Sequence, residues 1–190
     1  MLLTNILEDK LCIDIELTNS FIDWDKKGLV GCSCREYHIL LALASLNNVN
    51  NILELGPGKG ASTETLLMGL RRKKKGIVVT VDIIPNPELI LITDRTRLTV
   101  FHGDTNEFFA QNIMKYDLVF VDANHTDGQS YRDIDSSLHS LNENGVVACH
   151  DLLNGKNTTD IHRHTISLSE KYGKKYKMFT EYGNGIGLIY

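Results

Sequence analysis

An open α/β sheet, doubly wound and mostly parallel, is the fold this sequence predicts. Three observations carry the prediction. Short apolar runs alternate with longer amphipathic segments. Four of the five runs lack polar alternation, as strands buried on both faces do. No Ser/Gly-rich linker or internal repeat divides the 190 residues, which hold only three prolines. A chain of this length buries about 70% of its surface in one core and leaves no room for a separate substrate domain.

Taken in order, Cys34–Leu46 carries apolar residues at Ile39, Leu40, Leu41, Ala42, Leu43, Ala44 and Leu46, too many for a narrow stripe, and predicts a well-buried helix. Strands are predicted at Asn51–Leu55, Ile77–Asp82, Leu98–His102, Asp117–Asp122 and Gly145–His150. Helices are predicted between them at Ala61–Lys74, Glu88–Thr93, Thr105–Met114 and Gln129–Leu141, the second short. After the fifth strand, His162–Tyr172 predicts a helix, followed by strands Lys175–Glu181 and Gly185–Tyr190 around the turn Tyr182-Gly183-Asn184. The basic run Arg71–Lys75 reads as a solvated helix end, closed by Gly76, where cations complement the macrodipole.

Composition excludes several functions. A net charge of −4 and a pI near 6.0 supply no field for capturing phosphate backbones, so no nucleic-acid partner is expected. Acids in the first ten residues argue against a signal peptide, and no apolar run is long enough for a membrane span; a cytoplasmic protein with no membrane partner is the expectation. Four cysteines, at 12, 32, 34 and 149, make no disulfide framework, and Cys32-Ser33-Cys34 is neither a zinc knuckle nor a redox pair.

The chemistry concentrates in Ile52-Leu53-Glu54-Leu55-Gly56-Pro57-Gly58-Lys59-Gly60-Ala61, a strand running through a glycine-rich turn into a helix, the usual nucleotide-like ligand site of an open α/β sheet. Gly56, Gly58 and Ala61 satisfy a relaxed dinucleotide fingerprint. A Walker loop fails, because Lys59 is followed by Gly60 rather than Ser or Thr. Glu54 ahead of the loop, and the missing N–H of Pro57, work against a pyrophosphate and suit the ammonium and sulfonium of S-adenosylmethionine. Asp82 ends the next strand roughly 20 residues on, where a carboxylate accepts ribose hydroxyls. Asp104-Thr105 follows the third strand within reach of an adenine amino group, and Asp122 ends the fourth at the same edge.

These segments, with Phe120-Val121-Asp122-Ala123-Asn124-His125, Gly145-Val146-Val147-Ala148-Cys149-His150-Asp151 and Gly183-Asn184-Gly185-Ile186-Gly187-Leu188, resemble the class I S-adenosylmethionine-dependent methyltransferases, and among them the small O-methyltransferase-like group. The resemblance covers residues 35–190 and leaves 1–34 as an N-terminal segment, a candidate substrate lid. It implies a Rossmann-like sheet of seven strands with an antiparallel C-terminal strand. It also implies cofactor contacts at Glu54, Gly56, Gly58, Gly60, Asp82, Asp104, Thr105 and Asp122.

The reaction the resemblance implies is methylation of a hydroxyl oxygen of a small-molecule acceptor. His125 is the first candidate for the general base, with Asp122 beside it, and Asn124, Tyr131 and Asp133 as residues lining the mouth. Metal-dependent members hold a divalent metal ion at positions matching Asp122, His150 and Asp151; an imidazole at His150 either shifts the preference from Mg²⁺ toward Mn²⁺, Fe²⁺ or Zn²⁺ or means that no metal binds. An NAD(P)-dependent oxidoreductase and a non-catalytic S-adenosylmethionine-binding module are the alternatives, and a homodimer is the assembly allowed for. Trp24 is expected to anchor the N-terminal segment.

Overall fold

The computed structural model describes residues 14–84, 89, 92, 94–181 and 183–190, with the backbone alone at 127. In chain order the elements are α1 (Ile15–Lys26), α2 (Cys34–Ala44), β1 (Asn51–Leu55), α3 (Ala61–Lys73), β2 (Ile77–Asp82), a 3₁₀ turn (Arg95–Arg97), β3 (Leu98–His102) and α4 (Thr105–Gln111). There follow β4 (Tyr116–Val121), α5 (Asp127–His139), β5 (Leu141–His150), β6 (Leu153–Asn154), β7 (Asn157–Thr158), α6 (Asp160–Lys171), β8 (Tyr176–Phe179) and β9 (Ile186–Ile189).

Seven strands form one sheet in the order β3-β2-β1-β4-β5-β9-β8. The first five pair in parallel, and β9 runs antiparallel to both β5 and β8. This is the doubly wound seven-stranded sheet that the sequence predicts. Side-chain alternation divides it into two cores. Ile52, Val78, Leu118, Phe120 and Ala148 face α1, α2 and α3. Leu53, Val79, Val119, Val147 and Cys149 face α4, α5 and α6. Continuous apolar strands are required because both faces are covered.

Local chemistry sets the helix starts. Ser33 and Glu36 form a reciprocal capping box on α2, and Asp104 and Thr159 cap α4 and α6. At the opposite sheet edge, Asp117 accepts from the Asn50 and Asn51 amides at 2.8 and 3.0 Å and from the Asn142 amide at 2.6 Å, tying the starts of β1, β4 and β5 together.

Two sequence expectations are corrected. The basic run does more than face solvent: Arg72 pairs with Asp14 at 2.7 Å and Glu16 at 3.1 Å, and Arg71 with Glu64 at 2.6 Å. Lys73 donates to the Leu46 and Val49 carbonyls. The helix also ends before Gly76, at Lys73, with Lys74 in the left-handed region. The strand expected from Gly145 begins at Leu141, because β4 and β5 shift register between Tyr116 and Leu118 and pairing resumes earlier in the chain.

Helix α1 and the β6–β7 hairpin are present where sequence patterning shows no element. Leu17 and Trp24 of α1 are buried, and Trp24 meets Tyr37 edge-on with ring centroids 6.3 Å apart, so Trp24 anchors this segment as expected. The helix expected at Glu88–Thr93 and Tyr182 of the expected turn lie largely outside the described residues.

Helices α2 and α3 cross at Gly69, where a Cβ would lie 2.5 Å from the Ala44 Cβ and 2.8 Å from its carbonyl carbon. Gly69→Val is therefore expected to lower the unfolding free energy by at least about 2 kcal/mol, read as a shifted urea midpoint.

Candidate active site

In a doubly wound sheet, ligands bind beyond the carboxyl ends of the strands where the connections diverge to opposite sides. Here that point lies between β1, which continues to β2, and β4, reached from β3 on the far side. The strand exits are fixed by backbone bonds: Gly56 N–H to Val81 O, Asp122 N–H to Leu55 O, both 2.9 Å, and Gly103 N–H to Asp82 O at 3.0 Å. A cleft of about 310 Å³ opens there, lined by Gly56, Gly58, Asp82, Asp104, Asp122 and Asp133 among others.

Gly56 is obligatory for the wall. Its φ is +82°, and a Cβ would lie 2.2 Å from the Asp122 carbonyl oxygen, so β1 and β4 exit too close together for any side chain. Gly58 differs: an added Cβ would meet nothing within 4 Å and would project into open space beside the cleft. The loop is thus a cradle that a ligand can approach to backbone contact. Its donor set also selects the ligand. The described lining contains four carboxylates and no Lys, Arg or His, an arrangement that repels a pyrophosphate and suits a cationic, hydroxyl-bearing one.

Of the residues expected to contact a cofactor, Gly56, Gly58, Asp82, Asp104, Thr105 and Asp122 line this cleft. Asp82 Oδ1 accepts from the Ile84 amide at 2.9 Å, and Asp104 Oδ1 from the Asn106 amide at 2.7 Å, which holds both carboxyls at the strand tips. Glu54 and Gly60 are not among the lining residues. Glu54 lies inside β1, level with Thr80 and Phe120, so alternation turns its fully buried carboxyl under α3, where Thr63 donates to it at 2.6 Å. Gly60 is the left-handed N-cap of α3 and shapes the turn.

Gln129, Asn124 and Asp133 complete the wall, whereas Tyr131, expected at the mouth, packs edge-on against His164 with ring centroids 5.4 Å apart. Asp133 is buried and accepts from Thr105 and Gln129, both at 2.7 Å; burial raises its pKa, and its second carboxyl oxygen has no partner among the described residues. Gln129 went unrecognised because its signal is a helical i,i+4 relation to Asp133, visible only once α5 is placed against Thr105.

Beside the cleft lies a buried charged cluster. His150 ends β5 with 2% exposure; its Nδ1 sits 3.2 Å from Asp122 Oδ1 and 3.3 Å from Asp151 Oδ1, and its Nε2 3.3 Å from Glu36 Oε1. Burial opposes the imidazolium, but Asp122, Asp151, Cys32 and Glu36 outweigh it and hold the pKa well above the ordinary histidine value. Glu36 also accepts from the Ser33 amide at 2.6 Å and the Gly185 amide at 2.7 Å. Glu36 was missed at the sequence level, although the Ser33–Glu36 spacing announces the capping box.

The expected metal set of Asp122, His150 and Asp151 is brought together, but the donor chemistry does not fit. As an imidazolium, the form its carboxylate neighbours favour, His150 has no lone pair to offer, although its buried Nε2 makes no hydrogen bond among the described residues. Two other trios, Cys32 with Asp122 and His150, and Asp122 with His125 and Asp151, bring their ligand atoms within 4.8 Å of one another. His125 is half-exposed, with Nε2 3.6 Å from Asp122 and 3.2 Å from Asp151. Chiefly its hydrogen bond to Asp122 raises its pKa. It stands on a ridge between the first cleft, which Asp122 lines, and a second of about 580 Å³, which His125 and Asp151 line.

Burial pushes the Glu54 carboxyl from 4.5 up to about 7. The folded chain then binds a proton that the unfolded chain has released across that window, so stability falls as pH rises through it. Glu54→Gln is expected to flatten that fall by up to about 1.4 kcal/mol per pH unit, measured by urea denaturation at about pH 5 and about pH 7.

Residues 53–152 match the family described as "Methyltransferase domain". A Mycobacterium tuberculosis protein named probable O-methyltransferase is 31% identical over 122 residues, covering 59% of this chain and 52% of that protein. The matched stretch thus spans about half the length of such relatives, 53% in a Mycobacterium sp. protein 28% identical over 120 residues. Among solved structures, the Podospora anserina methyltransferase PaMTH1 in its SAH-bound form superposes with a TM-score of 0.71 at 19% identity, covering 93% of this chain and 88% of that one. The O-methyltransferase TomG of Streptomyces achromogenes, in complex with SAM, gives 0.67 at 18% identity, with 94% and 90% covered. At such identity these likenesses show the shared fold, and the family rests on the sequence match, which takes in the glycine loop and runs through Asp151. This chain belongs to the methyltransferase-domain family.

Proposed function

We propose that the chain transfers the methyl group of S-adenosylmethionine to a hydroxyl oxygen of a small molecule. The observation that carries this reading is the four-carboxylate cleft without a described cation, joined through Asp122 to His125 on the ridge of a second cleft. S-adenosylmethionine supplies a methyl group activated by a sulfonium. Asp82 accepts the ribose hydroxyls, Asp104 and Thr105 meet the adenine edge, and the Gly56 and Gly58 backbones allow close approach. Residues 28–32 of the N-terminal segment close over the glycine loop: Lys59 donates to the Gly28 carbonyl at 2.6 Å, and Leu29, Gly31 and Cys32 line a small crevice with Gly56 and Gly58. That contact gives the segment its lid role.

His125 takes the proton from the acceptor hydroxyl at Nδ1, its Nε2–H being directed at Asp122 and Asp151, which stabilise the imidazolium that forms. The His150 cation keeps both carboxylates in place with its Nδ1. A nicotinamide cofactor is opposed by the acidic lining, since its pyrophosphate would face Asp82, Asp104 and Asp122.

Calorimetry should show micromolar binding of S-adenosylmethionine or its demethylated product, weakened at least about tenfold in Asp82→Ala at unchanged melting temperature; binding of NAD alone would overturn the assignment. His125→Ala should lower kcat by about 10²–10⁴ while leaving cofactor affinity intact, with wild-type turnover insensitive to a chelator. Loss of activity to the chelator, restored by Mn²⁺, would instead assign Asp122, His125 and Asp151 to a cation. Tight cofactor binding with no acceptor turned over would identify a non-catalytic binding module.

A further inference from the structure

We infer that the second cleft is the acceptor site and that its acceptor is a neutral polyhydroxylated compound, such as a glycoside, rather than a phenol or a phosphorylated metabolite. The inference rests on the methyl-transfer reading and adds the acceptor's chemical class. The cleft, about 580 Å³, is bounded by the β6–β7 hairpin, the start of α6 and the loop before β9. That volume falls in the usual range for small-molecule sites. His125 and Asp151 form its inner wall, on the side of the methyl-donor cleft.

The remaining wall is almost entirely hydrogen-bonding. Asn154, Asn157, Thr158 and Asn184 line it, and Leu153 and Ile161 are its apolar surfaces. Asn154 and Asn157 are direct cross-strand partners closing a two-residue turn, which sets their side chains on the same face of the hairpin. Both are exposed, with no side-chain hydrogen-bond partner among the described residues, and so stand open to a ligand or to water, whereas Asn184 is held by a 2.7 Å bond to Asp151. Each carboxamide offers a donor and an acceptor together, matching adjacent hydroxyls that are themselves donor and acceptor.

Two acceptor classes are disfavoured by the same wall. The described lining has no Lys or Arg to meet a phosphate. It also has no Phe, Tyr or Trp on which an aromatic ring could stack. A flat arene would strip water from the amides without replacing their hydrogen bonds, the situation in which a polar site rejects an analogue most strongly.

The test uses the full chain with radiolabelled S-adenosylmethionine and three probe sets: methyl hexopyranosides and pentopyranosides, catechol, and glucose 6-phosphate. Transfer to at least one glycoside is expected, at a kcat/KM at least about tenfold above catechol and the phosphate. Asn154→Leu and Asn157→Leu are each expected to raise the glycoside KM about tenfold, with cofactor affinity by calorimetry unchanged. Preferred transfer to catechol or to the phosphate overturns the inference, as does cofactor binding with no glycoside methylated, or a KM unmoved in both variants. If calorimetry detects no cofactor binding at all, the methyl-transfer reading itself fails, and the inference with it.

Discussion

Everything at the carboxyl edge of the sheet depends on one buried arrangement: a single histidine cation shared among three carboxylates. His150 stands at the end of β5 with Asp122 and Asp151 on one side of its ring and Glu36 on the other. Three acids brought this close without a counter-charge would repel one another and take up protons. Against the effect of burial, the imidazolium between them lowers the pKa values of Glu36 and Asp151, and burial pushes Cys32 alongside up to about 11, where it is inert as a nucleophile. Burying such a set costs desolvation that Coulomb attraction alone barely repays, so the arrangement is better understood as positioning than as stabilisation. It fixes where Asp122 and Asp151 point, and those two residues define the wall between the clefts.

Topology supplies the rest. Parallel strands all deliver their carboxyl ends to one edge, so acids scattered along the chain at 82, 104 and 122 converge without any of them being close in sequence. Strand alternation then decides which of them serve the cleft. A residue just past the end of a strand can turn into the opening, and a residue one turn of the pleat earlier is committed to a core.

That distinction is why part of the site was legible and part was not. The glycine loop, Asp82, Asp104 and Asp122 announce themselves by following apolar strands, and the fold could be read from the same runs. Glu54 carries the same chemical signal, yet it lies between Leu53 and Leu55 inside β1 and is spent on Thr63 instead. Of the carboxylates around His150, Asp122 and Asp151 are grouped with it by the sequence, whereas Glu36 sits in a helix whose dense apolar run hides it, and what it meets is set by tertiary packing. The β6–β7 hairpin was equally opaque, since two-residue strands made of Asn, Leu and Thr carry no periodicity to detect.

Gly185 closes on Glu36 across 149 residues of sequence, and Gly183 beside it leaves room only for that carboxylate, a Cβ there lying 2.2 Å from Glu36 Oε2. Such a contact closes a loop of most of the chain, and it is made only with β9 seated between β5 and β8. Until that last strand arrives, Glu36 lacks a backbone donor from the C-terminal hairpin and the charged cluster is open on one side. The wall between the two clefts therefore depends on the C-terminal hairpin as well as on the parallel strands.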